Sequence, residues 1–162
     1  MLHTYRISIK RYIFSKTNEL MKPETIRVIS RLIMSLAAIY NIFWGVLICI
    51  HPTVILFDDT DSVFVTIVLQ CVGMLVGVYG IAYYFSSLNP ARYWPLILVG
   101  LIGKVLGPIG SLHYIFTNQL AASFFWVNVF NDVIWIFPFA WILYHVYKKN
   151  LVFDEDEEDD IL

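Results

Sequence analysis

Charged residues are scarce in this chain. They make up 15% of its 162 residues, against about 25% in an ordinary soluble domain. Cysteine is scarcer still, with Cys49 and Cys71 each standing alone inside an apolar run. No CxxC, paired CxxC or HExxH spacing occurs. Those gaps remove the zinc ribbons, thioredoxin-like redox pairs and zinc proteases that need such spacings. The two cysteines read as small apolar fillers. A cleavage signal is missing as well. The first apolar run begins near Leu32 and ends at His51-Pro52 rather than at an A-x-A site, so it is expected to stay in the mature protein.

What fills the chain instead is apolar. Hydrophobic residues account for 59% and aromatic residues for 17%, and the mean hydropathy is +0.68. A soluble fold of this size could not hide so much apolar surface, so lipid must cover it. Four runs, at about 32–50, 63–85, 95–116 and 124–147, each reach the ~20 residues that cross a bilayer core of ~30 Å as a helix. The expected fold is all-α, a four-transmembrane-helix bundle over residues 25–148. Residues 1–24 form a basic lead-in, and residues 149–162 an acidic tail.

The lead-in carries Ile9, Tyr12 and Ile13 at helical spacing. It reads either as an interfacial helix lying on anionic lipid or as a partly ordered segment. Pro23 suits a first helical turn. Asp58, Asp59 and Asp61 form an acidic turn with too few oxygen ligands for calcium, and Ser62 is placed to cap the second helix. Ser86-Ser87-Leu88-Asn89-Pro90 ends that helix in a turn. Pro108 and Pro138 are expected to kink the third and fourth helices. The tail, Asp154 to Asp160, lacks apolar residues with which to pack and reads as disordered.

Orientation follows from lysine and arginine. Arg6, Lys10, Arg11, Lys16, Lys22, Arg27 and Arg31 lead into the first run, Arg92 lies in the second connection, and Lys148 and Lys149 follow the last run. The other two connections carry none. Four spans alternate correctly with this bias and place both termini in the cytoplasm, with the protein in the cytoplasmic (inner) membrane. The same basic residues thereby need no nucleic-acid partner.

One position conflicts with this apolar plan. Lys104 stands within Gly100-Leu101-Ile102-Gly103-Lys104-Val105-Leu106-Gly107-Pro108-Ile109-Gly110. A lysine at that depth costs roughly 2.5–3.5 kcal/mol on insertion scales, so it needs a partner. Asp132, beside Asn131 in the fourth run, is the expected one. Every span holds a polar group: Asn41, Gln70, Lys104, and the set Asn128, Asn131 and Asp132. By helical rise, Asn41 and Lys104 fall near the midplane, with Gln70 and Asp132 roughly 5–6 Å toward the outside. Trp44 shares a helix face with Ala37, Asn41 and Ile48. Trp135 shares one with Asn128, Asp132 and Phe139. Apolar walls with a few placed polar atoms are what a small-molecule pocket needs. The competing reading is a structural clip, because membrane Asn and Gln often only bridge helices.

Glycines mark close packing. Gly73, Gly77 and Gly80 line one face of the second span, and Gly100, Gly103, Gly107 and Gly110 one face of the third. The two faces are expected to meet each other. His113 reads as interfacial, and His51 and His145 as residues of the membrane ends.

Several stretches are familiar in combination: Tyr40-Asn41-Ile42-Phe43-Trp44-Gly45, Gln70 to Gly80, Gly100 to Gly107, and Asn131-Asp132-Val133-Ile134-Trp135-Ile136-Phe137-Pro138-Phe139-Ala140-Trp141-Ile142-Leu143. Over roughly residues 30–147 the chain resembles small bacterial four-helix membrane proteins, loosely the DoxX-like group. The resemblance implies a four-helix membrane fold and quinone-linked or redox-accessory roles. From the residues, the leading expectation is a membrane module that binds a lipid, quinone or isoprenoid. An accessory subunit, using its glycine faces on a partner helix or a second copy, is the alternative. An ion-coupled transporter would call for internal repeats, which are not evident. An enzyme would call for a nucleophile or metal set beside Lys104 and Asp132. No cofactor or metal is identifiable.

Overall fold

The computed structural model describes residues 23–55 and 62–148. The interfacial-helix, acidic-turn and acidic-tail expectations lie outside these residues. Within them the secondary structure is helical. Helix α1 spans Pro23–Ile50 and is followed by a 3₁₀ turn, Pro52–Ile55. Helix α2 spans Val63–Leu88 and α3 spans Trp94–Phe116. Helix α4 covers Phe124–Lys148 and contains a π-helical segment, Val129–Val133. All four are long and apolar enough to cross a membrane.

Local chemistry explains the ends. Pro23 opens α1, with Glu24 in the first turn, where a carboxylate complements the helix dipole. The Ser62 hydroxyl caps α2 by accepting from Val65 N at 3.4 Å. Helix α2 runs three residues past its expected end at Phe85. Ser86 and Ser87 donate their hydroxyls back to Ala82 O at 2.9 Å and Tyr84 O at 2.7 Å, which satisfies both hydroxyls inside the helix. The turn after it forms as expected, with Asn89 Oδ1 accepting from Arg92 N at 2.9 Å. Helix α3 closes with Asn118 in the left-handed region at φ 56°. Gln119 N donates to Tyr114 O at 2.9 Å and Asn118 N to Ile115 O at 3.0 Å, the bond pair of a Schellman ending. Helices α3 and α4 continue through Pro108 and Pro138.

The tightest crossing joins α1 and α2. A Cβ built on Gly45 would lie 2.6 Å from Gly77 N and 2.8 Å from Gly73 O. One on Gly80 would lie 2.8 Å from Ile42 N, and one on Gly73 would lie 3.0 Å from Cys49 N. The Gly73–Gly80 face therefore meets α1, not the glycines of α3. Helix α1 offers its own small-residue stripe of Ala38, Gly45 and Cys49, and backbones approach most closely where both helices are smooth. On α3, a Cβ on Gly100 would strike the Tyr83 ring at 2.5 Å, whereas Gly103 and Gly110 have nothing within 4 Å. The α2–α3 gap is filled by an aromatic ring rather than closed by paired glycines.

The bundle is packed unequally along its length. Met34, Ala37, Ala38, Tyr83, Ile97, Phe139, Ile142 and Val146 form one buried cluster, in the half next to the α2–α3 turn. Tyr83 meets Phe139 edge to face with centroids 5.1 Å apart. The opposite half, next to the α1–α2 and α3–α4 connections, holds a cavity instead. Outward faces carry exposed Leu36, Ile39, Phe43, Leu75, Val78, Leu106, Ile109 and Phe137, the surface a bilayer covers.

Candidate functional site: a charge pair at the floor of a cavity

Lys104 and Asp132 meet in the middle of the bundle. Lys104 Nζ lies 3.3 Å from Asp132 Oδ1, and their side chains are 7% and 14% exposed. The ammonium also donates to the backbone carbonyl of Asn131 at 2.5 Å. Asn131 Nδ2 donates to the same Asp132 Oδ1 at 3.1 Å. Among the described residues no hydrogen bond reaches Oδ2, which faces Gly107. A Cβ there would lie 3.2 Å from it, so glycine gives the carboxylate room against α3.

The π segment of α4 builds this arrangement. Within it Ile134 N donates back to Val129 O, a wider turn than an α-helix makes. Its neighbouring carbonyls take side-chain donors from other helices. Tyr40 Oη of α1 donates to Phe130 O at 3.0 Å, and Lys104 of α3 donates to Asn131 O. Single π turns of this kind recur at functional sites.

A cavity of about 490 Å³ opens from the pair toward the α1–α2 and α3–α4 connections. Its apolar wall includes Tyr40, Trp44, Ile48, Val76, Trp126 and Phe130, and its polar wall is Ser111, Asn128, Asn131 and Asp132. A second, smaller pocket of about 170 Å³ lies on the other side of the pair, lined by Asn41, Tyr83, Gly103 and Lys104 among others. Val76, Asn131 and Asp132 border both spaces. Asp132 thus faces the larger cavity and Lys104 the smaller one.

Of the expected cluster, Lys104, Asp132, Asn131, Asn128, Asn41 and Trp44 come together around these two spaces. Gln70 does not. Its Nε2 donates to Cys49 O at 3.1 Å, and Cys49 Sγ lies 3.7 Å from Gln70 O. Gln70 therefore ties α2 to α1, one turn beyond the Gly45–Gly77 crossing. Trp135 also leaves the cavity wall. It lies against the Tyr40 ring at 5.5 Å and Phe139 at 6.2 Å, packed on the core cluster. The π turn intervenes between Asp132 and Trp135. One residue's worth of extra backbone rotates the following face by about 100°, which separates side chains that a regular helix would align. The site residues not assigned from the sequence are Tyr40, Ser111, Trp126 and Phe130, none of which carries a charge to mark it. No group of three or more His, Cys, Asp or Glu side chains converges among the described residues.

Four apolar helices around a buried ion pair define a small multi-pass membrane protein. Comparison with protein-family models, curated proteins and solved structures finds no match.

Proposed function

We propose that this protein is a membrane-embedded binding module for an amphipathic small molecule. The observation that carries the reading is the cavity of about 490 Å³ with the carboxylate of the ion pair on its wall. Its size falls within the ~300–1,000 Å³ typical of ligand sites, and its composition combines aromatic walls with a few polar atoms. The packed half of the bundle serves as a fixed base. The cavity half receives the ligand's body between Trp44, Trp126 and Phe130, with its polar group directed to the floor. In this proposal both termini are cytoplasmic, the cavity opens toward the outer leaflet of the cytoplasmic membrane, and kinship is with the DoxX-like group.

Native mass spectrometry of the gently extracted protein tests this. A specific co-purifying amphiphile is expected on the wild type, lost in Val76→Phe, which fills the cavity, and reduced in Lys104→Met, which disturbs its floor. An identical ligand complement on wild type and Val76→Phe would defeat the proposal. The open faces at Gly103 and Gly110 favour a second reading, an accessory subunit that receives a partner helix there. Stoichiometric co-purification of one membrane protein, abolished by Gly103→Leu and Gly110→Leu together, would support it.

A further inference from the structure

Several polar groups on the cavity wall turn their protons inward and leave acceptors toward the cavity. Tyr40 donates its hydroxyl proton to Phe130 O. Ser111 donates its own to Gly107 O at 3.1 Å and Pro108 O at 3.2 Å. Asn131 turns its amide nitrogen to Asp132 Oδ1. In each case the proton points into the protein, and an oxygen with lone pairs is left. Asp132 Oδ2 makes no hydrogen bond among the described residues, and Asn128, only 4% exposed, keeps a buried Nδ2 donor without a partner beside its free Oδ1. The buried ammonium of Lys104 borders the smaller pocket and is not part of the larger cavity's wall. The ion pair is therefore oriented with its negative end toward the larger cavity.

Around these acceptors stand aromatic rings. Tyr40, Trp44, Phe124, Trp126 and Phe130 all border the cavity, and Trp126 and Phe130 are stacked at 6.2 Å. Ring faces attract a cation, more strongly where water is excluded. A carboxylate oxygen and aromatic faces both favour a positive, hydrogen-donating group. They disfavour an anionic headgroup, while the partnerless Asn128 Nδ2 donor on the wall suits an acceptor carried beside the amine.

We infer that the cavity selects an amphiphile bearing a protonated amine, its ammonium directed to Asp132 Oδ2 and Asn128 Oδ1 and its hydrocarbon body lying along Trp44, Ile48 and Trp126. The inference rests on the cavity reading above and narrows it to one ligand class. The ammonium donates to oxygens that the protein leaves without donors. Lys104 holds the carboxylate from the far side and offsets part of its charge, which limits how tightly the cation is held and leaves it exchangeable.

The test is a titration of the full chain in lipid nanodiscs, followed by tryptophan fluorescence. The probes are dodecylamine, laurate and dodecanol, which share a chain length and differ in the head. Val76→Phe supplies the baseline for non-specific partition. Saturable binding of dodecylamine is expected, at least about tenfold tighter than laurate or dodecanol. Asp132→Asn should weaken it by about tenfold, since a charge-assisted hydrogen bond becomes a neutral one. Asn128→Leu leaves the ion pair intact and should weaken it several-fold, which keeps the test open if Asp132→Asn fails to fold. Equal binding of the three probes, or preference for laurate, would overturn the amine selectivity, and the cavity itself would still stand if Val76→Phe abolished that binding. Binding unaffected by Val76→Phe would overturn the cavity reading with it.

Discussion

Lys104 and Asp132 each solve the other's problem: both are ionisable groups placed where water is scarce, and they are joined at 3.3 Å. Removing one member of a buried pair generally costs ~3–5 kcal/mol, whereas exchanging both for apolar residues of similar volume is often neutral or better. Lys104→Met is therefore expected to lower stability by about that amount. Lys104→Met combined with Asp132→Leu should recover most of the loss. Thermal unfolding in detergent reads both. A single mutant as stable as the wild type would show that the pair contributes nothing as a pair. This contact was legible in the sequence because a lysine within an apolar run demands a counter-ion, and Asp132 was a carboxylate inside another run, at an offset a lysine stem can bridge. Gln70 and Trp135 were misplaced for different reasons. Helix periodicity cannot tell which neighbour a buried amide will face, so the bond from Gln70 to Cys49 O left no trace. Trp135 was aligned with Asp132 on the assumption of a regular helix, and no local sequence signal marked the π turn at Val129–Val133.

The four helices themselves were the most legible feature, since length and hydropathy alone specify them. Their pairing was less so. Glycine stripes on α2 and α3 suggested a mutual contact, but Gly45, a lone glycine on α1, turned out to be the partner of Gly77. A single glycine gains significance only beside Ala38 and Cys49, and which stripe meets which is a property of three dimensions. The consequence is measurable at this scale. Gly45→Ala would bring a methyl group to 2.6 Å from the α2 backbone, and overpacking of this kind costs about 1–3 kcal/mol. Gly103→Ala meets open space and should be neutral, or stabilising by up to ~1 kcal/mol through helix propensity. Melting temperatures of the two variants in one detergent compare them directly. Equal effects would contradict the described crossing.

Considered whole, the molecule has a dry half and a hollow half, divided by the ion pair. Composition could not reveal this division, because Met34, Ile97 and Ile142 on one side and Ile48, Val72 and Val76 on the other are equally apolar. What separates them is how well their shapes fill space. The proposed orientation rests on charge: lysine and arginine lie in the chain flanks and the α2–α3 connection and are absent from the other two connections. Single cysteines introduced in a background lacking Cys49 and Cys71 report the orientation. A cysteine at Arg92 is expected to react with an impermeant thiol reagent only from the cytoplasmic face, and one at Asn118 only from the outside. The reverse pattern would invert the proposed topology.

The bond between Lys104 and Asp132 joins positions 28 residues apart in the chain. During synthesis the ammonium of α3 therefore reaches the membrane ahead of the carboxylate that neutralises it. Helices α1 and α2 have no such debt and can settle as a hairpin on their small residues alone. Helix α3 by contrast becomes at home in lipid only once α4 arrives, so the two should insert as a unit. A chain truncated after residue 123 and fused to a soluble reporter is expected to leave α3 poorly integrated in a glycosylation-mapping assay, and integration should improve with Lys104→Leu. For this protein the order of translation and the electrostatics of the finished fold are parts of one constraint.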